Sequence, residues 1–117
     1  MSDVTELRAE RCVPCRPNCP RMTSEEEAEL LPLVPEWAIV EPHGDRRLRR
    51  VFTFRTWLAA VEFVRAIGVL ADEEDHHPRM ALAWGKVTVD WWTVATGALH
   101  RNDFVMAART DAAYEAA

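Results

Sequence analysis

Two adjacent histidines, His76 and His77, are followed by Pro78 and preceded by Asp72, Glu73, Glu74 and Asp75; of the residues in this 117-residue chain they are the best suited to move protons. Imidazole is the side chain whose unperturbed titration falls between pH 5 and 8, and nearby carboxylates favour its charged form, which suits general acid–base work. Pro78 restricts the backbone of His77 and so limits the poses of the pair. Extended backbone would aim neighbouring rings to opposite sides, whereas a turn can direct both into one cleft. A solvated loop closing a helix is the competing reading, since a His pair alone is a weak motif.

Three further groups could carry chemistry. Cys12, Cys15 and Cys19 have the close spacing of metal ligands, but a structural zinc site needs four. The fourth would have to come from His43, His100 or another subunit, so a reduced arm without metal is expected. An odd cysteine count near the terminus does not suggest a disulfide framework. Arg46, Arg47, Arg49 and Arg50, with Arg55 nearby, alternate faces if they lie on a strand, and no interleaved aromatics suggest stacked bases. A solvated edge strand guarded by charge is expected there. Five tryptophans (Trp37, Trp57, Trp84, Trp91, Trp92) should supply core or interface, with one near the His pair free to stack on a flat heterocycle.

The elements that must position these residues can be read from periodicity. Residues 1–22 form a Pro- and Cys-bearing arm, in which Pro14, Pro17 and Pro20 forbid a continuous helix. Thr23 and the acidic residues after it signal a helix start, ended by Pro32 or Pro35. Residues 37–40 and 46–54 read as a hairpin, and 56–71 as the clearest helix, apolar on more than one side. Strands are expected over 80–83 and 87–93, the second with Val87, Val89 and Trp91 on one face and Thr88, Asp90 and Trp92 on the other. A last helix spans about 101–114. Two hairpins separated by a helix imply an α+β layer, a four-stranded antiparallel sheet with three helices on one face.

Composition narrows the class. Acidic residues outnumber basic ones 19 to 14, for a net charge of −5, which argues against nucleic acid as the main partner. No apolar run is long enough to span a bilayer, and the start lacks signal-peptide character, so a cytoplasmic protein without membrane contact is expected.

Trp37, Phe52-x-Phe54-x-x-Trp57-x-x-Ala60-x-x-Phe63, Asp72-x-x-Asp75-His76-His77-Pro78, Trp84-Gly85-Lys86-Val87-Thr88-Val89 and Leu99-x-x-x-Asp103 together resemble the pterin-4a-carbinolamine dehydratases. The similarity covers about 23–114, so that a dehydratase-like domain over 23–117 follows the arm of 1–22. Residues 84–93 and 99–104 look most like bacterial members associated with phenylalanine hydroxylase. The resemblance implies a sheet extended across a dimer, a second helix that builds a tetramer core, and a metal-free, cofactor-free reaction. That reaction is dehydration of 4a-hydroxytetrahydropterin to quinonoid dihydropterin and water, which recycles the pterin of aromatic amino acid hydroxylases. It implies His76 and His77 against the pterin, Asp103 orienting a catalytic imidazole, and Asp75, Pro78, Trp84, Thr93 and Val94 around the substrate.

One position departs from the family pattern. A third histidine is expected directly after Thr93, and Val94, which cannot exchange a proton, stands there. On the resemblance Asp103 would then lack the imidazole it orients, unless His100 or a water took its place. Two functions of different class follow: a dehydratase of reduced activity working through His76 and His77, or a family member that keeps the fold and acts as a coactivator or assembly protein.

Overall fold

The computed structural model describes residues 3–15 and 19–117. Its elements run α1 (Val4–Ala9), α2 (Ser24–Leu30), a 3-10 turn (Leu31–Leu33), β1 (Ala38–Val40), β2 (Arg47–Thr53), α3 (Trp57–Glu74), β3 (Arg79–Ala83), β4 (Lys86–Trp91) and α4 (Arg101–Ala116). The four strands form one antiparallel sheet in the order β1-β2-β4-β3. The architecture is the α+β layer expected, with one helix more than the three anticipated.

The extra helix is α1, inside the arm and ahead of its prolines. Asp3 caps it, its carboxylate accepting the Glu6 N–H, and Leu7 is fully buried against the core. A helix of six residues is too short to stand alone and depends on this packing. α2 begins at the capping box formed by Thr23 and Glu26, which satisfies two amides the first turn would leave unpaired.

β4 follows the period of two. Val87, Val89 and Trp91 point into the core with no exposed surface, alongside Leu48 and Phe52 of β2. The buried face of α3 is Ala60, Phe63, Ile67 and Ala71, while Trp57, Leu58 and Val69 remain exposed. Trp57, expected in core or interface, therefore stands outside the core of its own chain. An aromatic group of Phe52, Phe54, Phe63 and Tyr114 joins β2, α3 and α4, its rings 4.8 to 5.7 Å apart.

The arginine run differs from the expectation of a solvated edge. β2 lies inside the sheet, between β1 and β4, and its arginines are paired. Asp90 of β4, without exposed surface, takes Arg49 through both carboxylate oxygens and Arg47 through one. Arg47 also binds Asp45 and lies 3.7 Å over the Trp92 ring, a cation–π contact. Arg46 pairs with Glu27 and Arg50 with Asp111. Each arginine faces a carboxylate brought from a distant segment or from the adjacent turn, a pairing that strand periodicity does not reveal.

Candidate active site

The helix expected over 56–71 continues through the acidic residues to Glu74, with Asp75 as its cap. Asp75 ends the helix in the left-handed conformation, φ +50°, and the next amide, that of His76, bonds back to the Ala71 carbonyl. This reversal sets the direction of both imidazoles. A left-handed residue other than glycine is uncommon, and aspartate tolerates it better than most.

His76 then reaches α4. Its Nε2 lies 2.7 Å from Oδ1 of Asp103, which is fully buried. The other oxygen, Oδ2, accepts the Thr93 hydroxyl at 2.8 Å and the His100 amide at 2.9 Å. A carboxylate that accepts on both oxygens leaves His76 to act as donor through Nε2, so that Nδ1 carries the lone pair. One face of the His76 ring stacks on Trp91 at 5.5 Å and 14°. Trp91 is itself fixed through its indole N–H on Thr110. His77, more exposed, pairs through Nε2 with Asp72 at 2.9 Å.

Both histidines open onto a cleft of about 420 Å³. Asp75, Trp92, Thr93 and Val94 also line it, whereas Pro78 and Trp84 do not. Trp84 is 75% exposed at the β3–β4 turn. β3 carries the chain away from the histidines by five residues, roughly 16 Å of strand, which removes Trp84 from the cleft of its own chain. Val94 is 76% exposed on the rim, in the turn that Thr93 closes by accepting the amides of Thr96 and Gly97. Asp103 is not left without an imidazole by the valine, because it holds His76 instead.

The remaining wall comes from the arm, which the sequence reading left outside the site. Cys12, Val13, Pro14 and Cys15 line the cleft. Asn102 clamps Val13 in both directions: its Oδ1 accepts the Val13 N–H at 3.0 Å, and its Nδ2 donates to the Val13 carbonyl at 2.6 Å. Glu74, whose side chain is 1% exposed, accepts the Cys12 N–H at 2.7 Å and is paired with Arg11 and Arg109. Burial by itself would push the Glu74 carboxyl up; the Cys12 amide and the two arginines outweigh it and hold it below its ordinary value. The Cys12 thiol is pushed up to about 12, first by burial and then by Glu74 and Asp103. Cys15 and Cys19 are joined in a disulfide, against the expectation of a reduced arm. Neither the clamp nor the anchor has a local signature: Asn102 reads in sequence as a first-turn helix residue and Glu74 as one acid among four.

The residues match those of known proteins over most of the chain. A family model described as pterin 4 alpha carbinolamine dehydratase matches residues 20–113. The chain belongs to that family. A relative from Gloeobacter violaceus, provisionally named pterin-4-alpha-carbinolamine dehydratase 1, is 50% identical over 106 residues, 91% of each chain. One from Chlorobium luteolum, with the same provisional dehydratase name, is 47% identical over 110 residues, 94% of this chain and 96% of its own. A crystal structure from Brucella melitensis, described as a transcriptional coactivator/pterin dehydratase, superposes with a TM-score of 0.73 at 28% identity, covering 80% of this chain and 98% of that one. Among the described residues no helix is long and apolar enough to cross a membrane.

Proposed function

We propose that this dehydratase-family protein converts 4a-hydroxytetrahydropterin to quinonoid dihydropterin and water, with His76 as the central proton-transfer group. The observation that carries the reading is the chain Thr93–Asp103–His76, which ends in an imidazole at the cleft. The reaction breaks the C4a–O bond, adds a proton to the departing hydroxyl and removes one from N5. Asp103 and Thr93 act as positioning residues. They hold His76 with Nε2–H inward and so leave Nδ1 to exchange the proton. His77, on the same cleft and beside Asp72, is the second exchange group. Asp75, Thr93 and Val94 bound the pterin, with Trp92 able to stack on a flat ring.

In this reading the protein recycles the pterin of an aromatic amino acid hydroxylase, with phenylalanine hydroxylase the expected associate, and works in the cytoplasm. Self-association is part of the proposal: Trp57, Leu58 and Val69 on α3 and the open edge of β3 are apolar or unpaired surface that a second copy would cover. The test is dehydration of freshly generated 4a-hydroxytetrahydropterin followed by absorbance, with His76→Ala as control. Catalysis above background that this variant removes supports the reading.

Val94 favours one alternative, a coactivator or assembly protein that keeps the fold with its chemistry reduced. It stands on the cleft rim where the family pattern has a histidine. That reading expects no turnover and no saturable quenching of tryptophan fluorescence by a pterin analogue.

A further inference from the structure

The arm carries chemistry of its own beside the cleft. The sulfurs of Cys15 and Cys19 and a ring nitrogen of His100 all lie within 4.8 Å of one another, each partly exposed. His100 caps α4 by accepting the Asn102 amide on Nδ1 at 3.0 Å. The His100 ring is thus held in one pose at the start of α4, beside both sulfurs. His100 is the N-cap of this 16-residue helix, and a helix N-terminus beside an imidazole is an environment that stabilises a thiolate.

We propose that Cys15 and Cys19 form a reversible thiol–disulfide exchange site, served by His100, whose state sets the arm wall of the cleft. Cys15 lines the cleft directly. The arm around the pair is pinned at both ends to the start of α4: Val13 to Asn102, and the Met22 amide to the Leu99 carbonyl at 3.2 Å. The cross-link ties Cys15 on this wall to Cys19, and its loss lets the wall at residues 12–15 loosen. Cys12 takes no part, since a thiol with its pKa near 12 is almost wholly protonated at neutral pH.

The exchange balances with a monothiol reductant of the glutathione type. Its thiolate attacks one sulfur, the Cys15–Cys19 bond breaks, and the departing thiolate is stabilised at the α4 N-terminus beside His100 before taking a proton. A second reductant thiolate resolves the mixed disulfide. The pair has then gained two electrons and two protons, and the reductant has become its disulfide.

The test equilibrates the full chain in buffers of graded reduced-to-oxidised glutathione, traps free thiols by alkylation for mass measurement, and follows amide hydrogen exchange over residues 12–15. The expected result is complete interconversion of one disulfide across the series, with Cys12 slow to alkylate. Exchange at the Cys12 and Val13 amides should be about tenfold faster in the reduced protein. His100→Asn, which keeps a capping acceptor but has no imidazole, should slow alkylation of the reduced pair about tenfold without unfolding it. A pair that never forms the disulfide, identical amide exchange in both states, or one tightly held zinc per chain that His100→Asn abolishes would each overturn the proposal. The effect on the cleft rests on the pterin reading above, but no readout here contains a pterin, so the two can fail separately.

Discussion

His76 and Asp103, 27 residues apart in sequence, meet at 2.7 Å, and the far oxygen of the carboxylate is tied to the Thr93 hydroxyl and the His100 amide. One buried acid thus fixes the end of α3, the turn after β4 and the start of α4 about a single imidazole. Replacing Asp103 by Asn keeps the shape but puts an amide where the ring needs an acceptor. Turnover should fall on the order of 10²–10⁴-fold, with binding of a pterin analogue changed little, as a kcat-against-KM split would show. An equal loss in both would mean that Asp103 holds the pocket rather than the imidazole.

Val94 is a solvent-facing rim position, so Val94→His can be accommodated without disturbing the core. We expect activity to rise by about tenfold or more, as one added general acid–base group allows, with no change in melting temperature. Unchanged activity would show that His76 and His77 already suffice.

Asn102→Ala removes both bonds to Val13. The arm should become sensitive to proteolysis within residues 10–15, and stability should fall by about 1–3 kcal/mol, as two lost hydrogen bonds suggest. Denaturant unfolding and timed digestion would measure the two effects.

Asp90 tests the polar face of the sheet. Burial works to raise its pKa, but the bonds from Arg49 and Arg47 outweigh that and hold it below the ordinary 3.8. A carboxyl lowered by folding stabilises the native state above that value, and the contribution is lost as pH falls through the folded pKa. Asp90→Asn should cost about 1–3 kcal/mol, because Arg49 loses both of its charge-assisted bonds while Arg47 keeps Asp45 and the Trp92 ring. The variant should also show a flatter loss of stability below pH 4 than the wild type.

Much of this was legible in the sequence, and the reasons differ by element. β4 announced itself because Val87, Val89 and Trp91 alternate with polar residues, and α2 because Thr23 and Glu26 make a cap whose chemistry is local. The His76–His77 pair drew attention by residue type alone, a weak motif, and its place at a pterin site came from the resemblance. What stayed hidden depends on distant partners. The arginines of β2 read as exposed until Asp90, 41 residues beyond Arg49, is placed opposite them. The arm read as an appendage because its ties are long-range: Asn102 lies 89 residues from Val13, and Glu74 lies 62 from Cys12. Trp84 was assigned to the substrate by resemblance, and strand β3 carries it away.

The most direct measurement of the central claim is stopped-flow dehydration of 4a-hydroxytetrahydropterin by the wild type, His76→Ala and Asp103→Asn, with folding of each verified by circular dichroism. The account predicts wild-type turnover above the uncatalysed rate, abolished in the first variant and strongly reduced in the second. Wild-type turnover that survives in folded His76→Ala, or no turnover in the wild type, would contradict it.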